Sequence, residues 1–254
     1  MRLVRHAPLG RCLYCLATGG PGVSLTEEHV IPHALGGRLT LRDAVCESCR
    51  RITGRLEQLT LDREFAVPKT LLALKRRRAR GNGPARLPTV AVEGDDARAA
   101  LTPDTFPRTF SLPAFEPAGL LADADRGAGP PRIDFVACHL NLGTPTRQAR
   151  ALAPPMADPH AYAWAIAKWA YALAVAERGL DCCDMQPMRE LMLRRRDDVF
   201  AFVGTRSPRE PASREWLHAA SLQDVGPWLT LRLALFASAG MLPYEIVIGR
   251  RHGA

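Results

Sequence analysis

The sequence predicts an α+β fold in three parts: a small cysteine-stapled module over residues 1–66, a basic helix and Pro/Gly-rich connecting region over 67–131, and a larger α/β domain over 132–254. Three observations carry this reading. Two Cys-x2-Cys pairs bracket a set of short, turn-punctuated elements in the first sixty residues. Residues 159–178 form a helical pattern that is apolar nearly all round, as a buried core helix is. Strand-like runs at 132–140, 199–203 and 244–249 surround that helix in sequence.

The elements follow in order. After the first Cys pair, Gly19-Gly20-Pro21-Gly22 makes a turn. Residues 23–31 then read as a strand, a loop holds Pro32 and Gly36-Gly37, and a short run leads to Val45. The second Cys pair opens a helix over roughly 47–60, with Leu56 and Leu59 giving apolar spacing and Gly54 as its weak point. Residues 67–80 read as a second helix that ends in Lys75-Arg76-Arg77-Arg78-Ala79-Arg80 and is stopped by Gly81-Asn82-Gly83-Pro84. Residues 81–131 read as a linker or an irregular set of short strands, such as 89–92. In the helix at 159–178, Asp158 is a cap, Pro159 suits the first turn and Gly179 stands just past the end. Further helix at 188–193, an apolar stretch at 228–236 and the strand at 244–249 complete the chain.

Composition narrows the function classes. Hydrophobic residues at 47% and charged residues at 24% exclude wholesale disorder and coiled coil. A net charge of +8 favours an anionic partner such as nucleic acid or a membrane surface. The best candidate for a membrane span, residues 161–175, is interrupted by Lys168 and too short for a bilayer. The N-terminus has no apolar run of signal-peptide length. A cytoplasmic protein is expected, without membrane association. Its seven cysteines would stay reduced, so close pairs read as metal ligands before disulfides.

Cys12-x2-Cys15 and Cys46-x2-Cys49 are separated by 30 residues. Each pair can bite one face of a zinc ion, and two pairs complete a tetrahedral S4 site with no open position, hence a structural zinc. Cys138, Cys182 and Cys183 show no such spacing. Between the pairs lies Glu28-His29-Val30-Ile31-Pro32-His33-Ala34-Leu35-Gly36-Gly37, and a purely structural finger needs no acid–histidine pair there.

Zinc knuckle, acid–histidine on a strand, proline, glycine loop, second knuckle and helix together resemble the HNH endonucleases, the ββα-metal group, in their four-cysteine variant with a Glu-His-x-x-Pro core. The resemblance covers about residues 10–60. It implies metal-dependent hydrolysis of a DNA phosphodiester, leaving a 5′-phosphate and a 3′-hydroxyl. On that pattern His29 is the general base, and Glu28 is a ligand of a catalytic divalent cation, Mg²⁺ or Mn²⁺, separate from the structural zinc. General chemistry agrees: imidazole suits a general base near neutrality, and a hard cation takes carboxylate oxygen and keeps waters. Cleavage should then fall with acidification, since the base must be neutral.

Two features depart from simple expectation. Adjacent strand residues face opposite sides, so Glu28 and His29 share a metal only at a bulge or strand end. The position after the second knuckle, where the family usually has Asn or His, is Arg50, and a guanidinium does not bind a cation. Three compensations compete. Glu57, seven residues on along the same helical face, supplies the missing oxygen; or His33 binds metal or phosphate; or Arg50 grips the scissile phosphate. Failing these, the alternative is a non-catalytic zinc-containing nucleic-acid-binding protein on a decayed HNH site.

The cations Lys75, Arg76, Arg77, Arg78 and Arg80, with His33, are the candidate nucleic-acid contacts. Lys168 stands on an apolar helix and reads either as a snorkelling lysine or as the mark of a ligand pocket. The C-terminal domain is open to a protein partner, and oligomeric state is not legible.

Overall fold

The computed structural model describes residues 4–72, 74, 90–92, 95–99, 109–122, 131–139, 158–205, 217–239 and 243–253. The protein is mixed helix and sheet: an N-terminal module with a cysteine cluster, followed by a larger sheet-rich part.

The module is built from β1 (Val4–Pro8), β2 (Leu25–His29), β3 (Leu39–Cys46) and helix α1 (Glu47–Arg63). β3 is the central strand, parallel to β1 and antiparallel to β2. Cys46 ends β3 and caps α1, so the strand runs directly into the helix. Gly54 does not stop α1, which continues three residues past the expected end. Thr53, Thr60 and Leu61 bury one face of the helix. Helix α2 (Ala66–Leu71) follows; the basic run at 75–80 lies outside the described residues.

The region read as a linker or an irregular set of short strands carries strands β4 (Val90–Val92), β5 (Asp95–Ala99) and β6 (Thr109–Phe115). β6 pairs in full register with β7 (Ile133–His139). Helix α3 (Pro159–Arg178) has the anticipated ends: Asp158 Oδ1 accepts from the Ala161 amide at 2.9 Å, Pro159 opens the first turn and Gly179 closes the last. Every residue from Ala161 to Val175 is buried. Helix α4 (Gln186–Met192) comes next.

The run at 199–203, expected as a strand, is instead one helical turn, α5 (Val199–Phe202), before strand β8 (Val203–Thr205). The turn arises because the Val199 and Ala201 amides bond back to the Asp197 and Asp198 carbonyls. Phe200 then packs on Phe115, with ring centroids 5.1 Å apart. Tertiary contact overrides the local β preference of a β-branched and aromatic run.

Strands β9 (His218–Val225), β10 (Trp228–Leu235) and β11 (Tyr244–Arg250) join β8 in an antiparallel sheet of order β8-β11-β10-β9. Tyr244, Ile246 and Val247 from this sheet share one continuous hydrophobic core with α3, α1 and the module's Leu13, Leu41 and Phe65. Trp164 and Trp169 are fully buried core residues. Among the described residues no helix is long and apolar enough to cross a membrane.

Candidate metal centre and acid–histidine site

The first knuckle is a tight turn after β1. The Cys12 amide bonds to the Ala17 carbonyl at 2.8 Å, and the Leu16 amide to the Cys12 carbonyl at 2.8 Å. Leu16 has φ 63°, the left-handed conformation that lets so short a loop close. The second knuckle is the first turn of α1, where the helix N-terminus favours thiolates.

The four sulfurs of Cys12, Cys15, Cys46 and Cys49 all lie within 4.8 Å of one another, and those of Cys15 and Cys46 are 3.7 Å apart. A tetrahedral S4 site with Zn–S of about 2.3 Å needs sulfur–sulfur edges of about 3.8 Å, so the residues present fit zinc. Burial pushes the Cys12 thiol up, and burial together with the charge of Cys12 pushes the Cys49 thiol up. At Cys46 burial acts the same way, but hydrogen bonds from Ser48 and from Cys49 outweigh it and bring the thiol down to about 6. A metal that replaces the remaining protons relieves this crowding. Among the described residues these four are the one group of three or more metal-ligating side chains placed together. Cys182 and Cys183 are free thiols apart from it.

His29 is the last residue of β2 and is exposed. The β2–β3 pairing slips between Thr26 and Glu28, opposite Asp43, whose φ is 46°. The slip leaves Thr26 and Glu27 both exposed, then turns Glu28 inward and His29 outward. Beyond β2, the buried Pro32 starts a single 3-10 turn, His33–Leu35, closed by Gly36 at φ 86°. A Cβ on Gly37 would stand 1.9 Å from the Ile31 carbonyl oxygen, so only glycine lets the loop fold back this closely. The turn sets the exposed His33 beside His29, ring centroids 6.3 Å apart.

Glu28 is buried and points at α3. Its Oε1 accepts from the Tyr14 hydroxyl at 3.2 Å and lies 2.5 Å from the Lys168 Nζ. Glu57, on α1, receives the same ammonium on its Oε1 at 2.7 Å, together with the Trp169 indole N–H at 2.6 Å. Lys168 is 2% exposed, so its ammonium does not snorkel to the surface. Burial pulls Lys168 downward, but the carboxylates of Glu28 and Glu57 outweigh it and hold the lysine well above its ordinary range. The ammonium sits between the carboxylates of Glu28 and Glu57.

Among the described residues, all contacts of both carboxylates fall on Oε1, and none reaches either Oε2. A hydrated Mg²⁺ typically takes one or two carboxylate oxygens and otherwise binds water and substrate phosphate. Glu28 and Glu57 belong to no group of three or more metal-ligating side chains among the described residues, so the protein offers a cation here no more than single carboxylate oxygens. Arg50 is exposed and bound bidentately to Glu47, Nε to Oε2 at 2.8 Å and Nη2 to Oε1 at 2.9 Å. Its charge is thus partly balanced on the first turn of α1.

Of the residues singled out in the sequence, the structure brings together the four cysteines, sets His33 beside His29, and joins Glu28 to Glu57 through Lys168, while Arg50 pairs with Glu47 on the first turn of α1 and the cations at 75–80 lie outside the described residues. Sequence reasoning missed Tyr14, Lys168 and Trp169 as neighbours of the two carboxylates. A lysine in an otherwise apolar helix was the one available signal, because a buried ammonium requires a partner.

Against known families, residues 12–66 match the family described as HNH endonuclease. No curated protein and no solved structure matches the chain.

Proposed function

We propose that the protein is an endonuclease that hydrolyses DNA phosphodiesters through its HNH module, with His29 as the general base and structural zinc on Cys12, Cys15, Cys46 and Cys49. The observation that carries this reading is the position of His29. It is exposed at the end of β2, next to an inward carboxylate, within the segment that matches the HNH family.

A DNA strand laid over the β2 end and the α1 N-terminus would meet His29, His33 and Arg50. His29 Nδ1 or Nε2 takes a proton from a water that attacks phosphorus in line with the leaving 3′ oxygen. Arg50 offers N–H donors to a phosphate oxygen once it lets go of Glu47. Glu28 would hold a divalent cation through Oε2, and such an ion, when bound, supplies positive charge at the scissile phosphate. Glu57 is a reserve carboxylate, engaged with Lys168 and Trp169. The exposed Arg42, Arg51 and Arg55 give the module a basic surface suited to a phosphate backbone.

The ammonium on both carboxylates favours a second reading, a nuclease frame that binds nucleic acid without cutting it. Supercoiled-plasmid nicking separates the two. The nuclease reading predicts nicking by zinc-loaded protein with Mg²⁺ or Mn²⁺, abolished by chelation of that ion and by His29→Ala. Salt-sensitive binding with no turnover by either ion would support the second reading and overturn the first.

A further inference from the structure

Lys168 reaches the site from α3, more than one hundred residues away from the module in sequence. Its Nζ lies within 2.7 Å of one oxygen from each carboxylate, in the space between strand β2 and helix α1. Tyr14 donates to the Glu28 oxygen and Trp169 to the Glu57 oxygen, so five side chains form one arrangement. A lone ammonium on the surface would be mobile; this one is buried in a core where side chains do not move without cost.

We infer that Lys168 is a resident counter-cation for the Glu28–Glu57 pair: it holds the place between the two carboxylates, prevents them from chelating one divalent ion jointly, and so keeps the cation affinity of the free protein low. This rests on the reading of residues 12–66 as a cation-using nuclease module. A divalent ion would then meet one carboxylate oxygen and otherwise water, and substrate phosphate would add the further oxygens and negative charge that tighten its binding. Uptake of the ion is thereby coupled to uptake of nucleic acid, and Lys168 is a positioning residue acting through Glu28.

The test is Mn²⁺ binding to full-length, zinc-saturated protein without nucleic acid, read by electron paramagnetic resonance of free Mn²⁺. The folded state is checked by zinc content and circular dichroism. Lys168→Met should bind Mn²⁺ at least about tenfold more tightly than wild type, because one fixed positive charge is gone and both carboxylates are released. The double variant Lys168→Met with Glu57→Gln should lose that gain. A merely structural lysine would leave affinity unchanged or lower it, and either result in folded Lys168→Met protein overturns the inference. If Lys168→Met does not fold, Glu57→Gln serves instead. It leaves Lys168 facing Glu28 alone, and Mn²⁺ affinity should fall severalfold below wild type; unchanged affinity overturns the inference. Plasmid nicking is read separately. Wild type that fails to nick, beside a Lys168→Met gain in Mn²⁺ affinity, removes the nuclease reading and leaves the counter-cation standing.

Discussion

Helix α3 also grips the first cysteine knuckle, and Tyr171→Phe tests that grip. Tyr171 is fully buried, and its hydroxyl donates to the Leu13 carbonyl at 2.5 Å. Leu13 lies between Cys12 and Cys15, and its own amide is engaged with Ala44 at 2.8 Å. Phenylalanine keeps the ring beside Tyr14, 6.1 Å between centroids, and deletes only the hydroxyl. The net hydrogen bond contributes about 1 kcal/mol, and a carbonyl left unpaired in the core adds a further penalty of similar size, so the loss is roughly 2–3 kcal/mol. For a domain of this size that lowers Tm by roughly 4–12 °C. Scanning calorimetry of zinc-loaded protein measures it, and competition with a colorimetric chelator should show faster zinc release. A Tm within about 1 °C of wild type, with unchanged zinc release, would refute the claim that α3 holds the knuckle closed.

Three further predictions concern the frame around the site. Thr40 Oγ1 in β3 is buried without a hydrogen-bond partner among the described residues, so Thr40→Val should stabilise by about 1 kcal/mol in urea unfolding; destabilisation would mean the hydroxyl is paired. Gly37→Ala drives a Cβ into the Ile31 carbonyl and should cost about 1–3 kcal/mol or more while lowering nicking through displacement of His33; a wild-type Tm would contradict the close approach. His218, in β9, bonds through Nε2 to the Leu35 carbonyl at 2.8 Å and accepts the Phe236 amide on Nδ1 at 3.2 Å. Burial pushes this histidine below its ordinary range, the bond to Leu35 opposing only in part. Neutral imidazole is therefore favoured in the fold. The unfolded chain binds the extra proton first as pH falls below about 6.5, so stability declines with acidification from there. His218→Gln should show a shallower decline between pH 7.5 and 5.5 in urea unfolding, and an identical slope would exclude His218 as its source.

What the sequence disclosed was local. Two Cys-x2-Cys spacings located the sulfurs, Asp158, Pro159 and Gly179 located the ends of α3, and Glu28-His29 marked the end of β2 as the candidate site. Each signal sits within a few residues and follows from turn geometry, capping or ligand spacing. The parallel pairing of β1 with β3, the edge strand β9 and the helical turn at Val199–Phe202 were not legible, because each is decided by distant neighbours. The same holds for the carboxylates. Glu28 and Glu57 were recognisable as candidate ligands, but their shared ammonium lies 111 residues beyond Glu57. Periodicity could say only that α3 is buried, and the lone lysine on it needed the fold to name its partners.

The central claim is that His29 removes the proton from the attacking water, and chemical rescue tests it most directly. Nicking of supercoiled plasmid would be measured for wild type and His29→Ala, each zinc-loaded, with Mg²⁺ or Mn²⁺ and increasing imidazole. If His29 is the base, wild type is active, His29→Ala is not, and imidazole restores part of the activity, increasingly as pH rises and more of the added base is neutral. Nicking by His29→Ala equal to wild type without imidazole would contradict that role.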